Sequence, residues 1–187
     1  MSRPTEISLA DWVDQPFRQV PMPGSNGHID MVPLASMPGH LSLLGRFPAG
    51  FVRDVPGGYH ASEEFLVLDG ELEFDGRVLR RGDLTVVPGH YVRRGMSSPK
   101  GCVLLAWFAG APDFLAPEEL AATTADVEVR HVLGSEQPGL CSDAAVWEIS
   151  SAQRPAGWFE EIDRDLGGWR CNPATGPAAG ALVRRSR

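Results

Sequence analysis

The stretch GGYHASEEFLVLDGELEFDG, Gly57 to Gly76, sets an imidazole and two adjacent carboxylates directly before an apolar run. Nitrogen and oxygen donors of these types ligate catalytic zinc and non-haem iron(II), so His60, Glu63 and Glu64 are candidate metal ligands. His60 and Glu64 lie four residues apart and share a strand face. Glu63 joins His60 only through a bulge or loop conformation, which the Gly57-Gly58 pair permits. The spacing leaves both carboxylates open. Tyr59 and Tyr91, the two tyrosines of the chain, each adjoin a histidine and are candidate proton donors or packing residues.

The elements that position these residues are short strands. With 21 Gly and 16 Pro among 187 residues, 43% of them hydrophobic, the chain suits many strands joined by tight turns around one core. A net charge of −7 gives no basic field for a phosphate backbone, so no nucleic-acid partner is expected. Lys100 is the one lysine and sits in a polar loop, which argues against Schiff-base chemistry. Cys102, Cys141 and Cys171 are odd in number and form no CxxC pair, as expected for reduced thiols in a cytoplasm. No apolar run is long enough to span a bilayer, and no membrane partner is expected.

Residues 1–27 read as an irregular N-terminal arm, residues 28–115 as a barrel of regularly spaced strands, and residues 116–187 as a linker or short helix followed by a β extension. Asp69-Gly70 predicts a tight hairpin turn and Asp75-Gly76 a second one. The continuous apolar run Cys102–Phe108 predicts a strand buried on both faces. APEELAATTA, 116–125, carries helix-start signals in Pro117, Glu118 and Glu119. FEEIDRDL, 159–166, reads as a solvated acidic face that faintly echoes the Glu63-Glu64 pair, and the last dozen residues as a tail without structure.

The segment EEFLVLDGELEFDG followed by LRRGDLTVVPGH resembles the first and second motifs of the cupin superfamily, over roughly Arg46 to Ala109. The pattern is nearest to cupin domains of the anti-sigma-factor and acetylacetone-dioxygenase type. The resemblance implies an all-β double-stranded β-helix, a jelly-roll barrel, with Glu63 at the family's glutamate ligand. It departs at the other ligands. The family's His-x-His pair falls on Gly57 and Tyr59, with His60 one residue out of register, and the histidine of the second motif falls on Arg93, with His90 three residues earlier.

Two site readings follow from that resemblance. In one, His60, Glu63 or Glu64, and His90 hold one divalent metal ion, Fe(II) or Zn, with Ni and Mn as alternatives. In the other, Arg93 replaces the cation with a fixed guanidinium, and an arginine-lined pocket that includes Arg53 or Arg94 binds a small anion without metal. The implied function is a metal-dependent enzyme, a dioxygenase or C–C bond-cleaving oxidoreductase acting on a carbonyl-containing or oxygenated small molecule. Tyr59, His60 and Tyr91 are then its catalytic candidates, and Arg53, Arg93 and Trp107 its substrate-binding ones. The alternatives are a metal-independent isomerase or cyclase, with tyrosine or histidine as acid or base, and a non-catalytic ligand- or metal-sensing module. Pairing through the sheets implies a homodimer. Trp107, Trp147, Trp158 and Trp169 are pocket-lining or core residues, and His28 and His40 have no spacing that points to a metal.

Overall fold

The computed structural model describes residues 3–136 and 139–187. Its strands are β1 (Glu6–Ser8), β2 (Arg18–Pro21), β3 (His28–Met37), β4 (His40–Phe47), β5 (Phe51–Arg53), β6 (Glu63–Phe74), β7 (Arg77–Arg80), β8 (Asp83–Val87), β9 (Met96–Ser98), β10 (Cys102–Phe108), β11 (Glu128–His131), β12 (Leu140–Cys141), β13 (Ala145–Ile149), β14 (Phe159–Ile162), β15 (Gly168–Cys171) and β16 (Leu182–Ser186). Single 3₁₀ turns occupy Trp12–Asp14 and Pro117–Glu119. No helix among the described residues is long and apolar enough to cross a membrane.

The main sheet runs β11-β8-β6-β10-β4-β3-β2, and β6 continues out of it to pair with β7 and β9, while β9 pairs with β5. That departure curls the first half of the chain into a barrel. It begins at a bulge: Val103 faces Asp69 while Leu104 faces Val67, so Leu68 is the extra residue. Asp69-Gly70 therefore lies inside one bent strand and not at the expected hairpin. Gly70 takes φ +71°, and a Cβ there would stand 2.1 Å from the Gly101 carbonyl oxygen. The signal is the same because bulges and tight turns both need a left-handed residue. The hairpin occurs at Asp75-Gly76, between β6 and β7.

β10 alternates perfectly between two cores. Cys102, Leu104, Ala106 and Phe108 face the barrel interior with Phe65, Val67 and Phe74. Val103, Leu105 and Trp107 face the opposite way, onto Trp147, Ile162, Trp169 and Leu182 of a six-stranded sheet ordered β1-β15-β14-β16-β13-β12. The expected two-sided burial of 102–108 thus has a specific cause: a barrel on one side and a second sheet on the other.

The end of the chain departs most from the sequence reading. Residues 182–186 form β16, hydrogen-bonded to both β13 and β14, and Leu182, Val183 and Arg184 are almost fully buried. The short alternation of ALVRRS carries little local signal, and its partners lie far away in sequence. Likewise Phe159–Ile162 is a buried strand and no solvated face. The N-terminal arm contributes β1 to the six-stranded sheet and β2 to the main sheet. The helix signals at 116–119 yield one 3₁₀ turn, capped where the Glu119 carboxylate accepts the Ala116 N–H at 2.9 Å. The residues after it are mostly exposed, with no apolar face to bury in a longer helix.

Candidate functional site

Strand β6 divides the two glutamates by its pleat. Glu63, on the face of Phe65, points into the barrel, and its Oε2 lies 2.5 Å from Nη2 of Arg93. Arg93 is 4% exposed. It is placed by a short backbone bridge in which its N–H donates to the Gly57 carbonyl at 2.8 Å and its carbonyl accepts the Gly57 N–H at 3.1 Å. Gly57 and Gly58 are required by close approach. A Cβ on Gly57 would meet the Leu115 carbonyl oxygen at 2.5 Å, and one on Gly58 the Tyr91 carbonyl oxygen at 2.2 Å.

Beyond this pair, in the irregular stretch between β5 and β6, Tyr59 is buried and His60 exposed. The Tyr59 ring is buried edge-on against Phe108 and Phe114, and the Arg93 guanidinium lies 4.2 Å from its centroid. Arg53, from β5, donates from Nη1 to the Tyr59 hydroxyl at 3.4 Å and stacks 4.1 Å from the Phe114 centroid. Two buried guanidiniums thus flank one tyrosine. Arg53 is 2% exposed and forms no ion pair among the described residues. Its Nη2, Arg93 Nε and Glu63 Oε2 have no hydrogen-bond partner; the Glu63–Arg93 contact is a charge pair without hydrogen-bond alignment.

The barrel interior leaves about 50 Å³ free, walled by Leu43, Phe65, Leu104 and Phe108 and touched by Glu63 and Arg93. Outside it runs an open groove of about 1340 Å³ lined by Arg53, Asp75, His90, Tyr91 and the 120–126 segment. Met96 borders both spaces. Tyr91 is therefore a groove residue; burial raises the pKa of its phenol first, followed by the hydrogen bond and charge of Asp75. Cys102, in the barrel wall, is pushed up to about 12 by burial and by Asp69, so it offers no thiolate.

His60 and His90 do meet, Nδ1 to Nδ1 at 3.4 Å, but on the outside. His60 is exposed, and His90 Nδ1 accepts the Ala121 N–H at 3.2 Å, which ties the 116–126 segment across the barrel mouth. Neither histidine joins Glu63 or Glu64, and no group of three or more His, Cys, Asp or Glu among the described residues is placed to hold a metal ion. The interior set does not fit a divalent cation either. Its one carboxylate is already charge-paired to Arg93, and a second guanidinium stands across the same tyrosine ring.

Glu64 faces the six-stranded sheet, where it accepts from Arg184 Nε at 2.5 Å, from Trp147 Nε1 at 3.1 Å and from the Ser142 hydroxyl. Beside it Glu160 accepts from Trp107 and Trp169 at 2.8 and 2.6 Å and lies 2.6 Å from His40 Nε2, while Arg184 Nη1 reaches His40 Nδ1 at 3.2 Å. Burial by itself would raise the Glu160 carboxyl. The His40 hydrogen bond and charge, with Arg184 and Trp107, outweigh it and hold Glu160 below the usual carboxylate range. Trp107 accordingly belongs to the joint between the sheets and not to the pocket. This network had no local sequence signal beyond the faint Glu-Glu echo, because its members come from 40, 64, 107, 142, 147, 160, 169 and 184.

No family model and no curated protein matches the sequence. Among solved structures, a candidate dioxygenase of Nostoc punctiforme superposes with a TM-score of 0.63 at 11% identity, over 96% of this chain and 76% of its own. A candidate glyoxylate-induced protein of Pseudomonas aeruginosa gives 0.58 at 11% identity, over 100% of this chain and 90% of its own. A candidate acetylacetone dioxygenase of Methylibium petroleiphilum gives 0.50 at 13% identity, over 66% and 90%. The first two likenesses span both sheets, so the C-terminal sheet is part of the shared architecture. With its strand-rich antiparallel barrel and these neighbours, the chain has the cupin fold.

Proposed function

We propose that this chain is a small-molecule cupin in which Arg53, where the barrel meets the outer groove, binds a small carboxylate without a metal ion. The observation that carries the reading is Arg53, a buried guanidinium beside the groove with no ion pair among the described residues and an unpartnered Nη2. An isolated buried cation is expensive, and a bound anion is the direct remedy. Planar carboxylates match a guanidinium's parallel N–H groups. The dioxygenase names of two structural neighbours support an oxygenase reading, but that chemistry calls for a ligand set that His60, Glu63, Glu64 and His90 do not assemble. The chemistry supported by the residues inside is acid–base. Arg53 donates to the Tyr59 oxygen and leaves the phenol proton free for a bound substrate, while Glu63 stands nearby as an acceptor, as an isomerase or cyclase requires.

The test pairs thermal unfolding with elemental analysis. Propanoate and acetate are expected to raise the Tm of the wild type, and Arg53→Met to abolish that rise. The same variant should unfold a few degrees higher than wild type in anion-free buffer, because it removes an uncompensated buried charge. Absence of any anion-induced rise, or a near-stoichiometric divalent ion lost in Glu63→Ala, would sink the reading.

A further inference from the structure

We infer that residues 114–126 form a strap that closes Arg53 off from the groove and swings aside to admit an anion, with His90 as its latch; the inference rests on the anion-binding reading above. Access is the first step. Arg53 borders the groove, yet it is 2% exposed and its unpartnered Nη2 is buried. An anion reaches that nitrogen only if a neighbour moves. Of the two rings beside the guanidinium, Tyr59 is packed in the core against Phe108, whereas Phe114, its centroid 4.1 Å from the guanidinium carbon, belongs to the stretch without strands between β10 and β11. Phe114 is the ring that can leave.

The tethers of that stretch supply the second step. Leu115 exchanges two backbone hydrogen bonds with Gly58, at 2.9 and 3.0 Å, and Phe114 stands next to this bridge, so a swing about it turns the ring off Arg53. The bridge is the pivot. Beyond it the Ala121 N–H donates to His90 Nδ1 at 3.2 Å, and at the far end Arg77 lies 3.8 Å from the exposed Asp126 carboxylate, a pairing of little worth in water. Residues 121–126 are all exposed, and among the described residues no other hydrogen bond joins them to the barrel. One imidazole lone pair therefore holds the middle of the strap. Segments with so few buried contacts and so few hydrogen bonds open far more readily than the sheet beneath them.

Isothermal titration of the full chain with propanoate tests the latch from both of its partners. His90→Gly removes the acceptor at a position, φ +65°, that suits glycine, and Ala121→Pro removes the donor where Leu120, at ψ 141°, already has the extended backbone that precedes proline. Each should bind propanoate about fivefold tighter than wild type, because the open fraction rises by the worth of one hydrogen bond. Their combination should gain nothing further. A merely structural role would lower the Tm without tightening binding. His90→Asn keeps a side-chain acceptor and tolerates the left-handed φ, so it should bind as wild type does. Amide exchange reads the latch without any anion: Ala121 should exchange more slowly than Ala122 in wild type and in His90→Asn, and as fast as Ala122 in His90→Gly. Unchanged or weaker binding in His90→Gly and Ala121→Pro, or a wild-type Ala121 amide as fast as Ala122, overturns the strap and leaves anion binding standing. No saturable heat from wild type or any variant overturns both.

Discussion

Glu63 and Glu64 are consecutive residues of β6 whose carboxylates end on opposite faces of the sheet, one against Arg93 inside the barrel and one against Arg184 in the joint between the sheets. A single peptide unit thus carries both polar centres of the molecule. The inward carboxylate has Arg93 as its charge partner beside a cavity, while the outward one accepts from Arg184, Trp147 and Ser142. The full set of partners gives Glu64 a structural role.

Glu64→Ala should be the more damaging of simple truncations at this pair. It leaves the Arg184 guanidinium, 1% exposed, without its carboxylate and the Trp147 N–H without an acceptor. Breaking a buried pair from one side costs about 3–5 kcal/mol. Urea unfolding followed by tryptophan fluorescence measures it. The double variant Glu64→Met with Arg184→Met should recover most of the loss, since no charge is then stranded; a single-variant cost under about 1 kcal/mol would contradict the assignment.

Acid should loosen the same joint. The folded state holds the Glu160 carboxyl below its ordinary range, against about 4.3 for an unperturbed glutamate. A depressed carboxyl stabilises above the unfolded value, and that stabilisation is lost as pH falls through the folded one. The groups facing it are His40, Arg184, Trp107 and Trp169, with Glu64 beyond Arg184. Urea midpoints measured from pH 6 downward should fall below the ordinary carboxylate range, and Glu160→Gln should flatten that decline. An unchanged slope in the variant would place the acid sensitivity elsewhere.

The barrel was legible because its signals are local. Two-sided burial of Cys102–Phe108, the Asp75-Gly76 turn and the position of Glu63 follow from alternation and turn chemistry within a dozen residues. The pairing of Glu63 with Arg93, at the position of the second-motif histidine, was legible too. Convergence of the histidines was not. His60 and His90 meet on the outer surface because Tyr59, one residue earlier, takes the inward position. The joint between the sheets was out of reach because its eight polar members are spread over eight strands or their flanks and meet only in tertiary structure. The strand at 182–186 was missed for the same reason: its burial is conferred by β13 and β14, and the composition of its neighbourhood points the other way.

Gly70 separates a bulge from a turn and offers a clean backbone test. In a hairpin loop an alanine at such a position costs about 1 kcal/mol, the penalty of a left-handed φ for a residue with a Cβ. Here the added Cβ would also stand 2.1 Å from the Gly101 carbonyl oxygen across β10, so the bend of β6 and its register with Cys102 must shift. Gly70→Ala should therefore cost well over 2 kcal/mol in urea unfolding, in the range of a strained core position. Gly76→Ala, at φ +78° in the exposed hairpin with nothing within 4 Å, is the matched control and should cost only the conformational penalty. Equal losses at the two positions would mean that the chain turns at Gly70 after all, and that the main sheet and the barrel wall are not joined by one continuous strand.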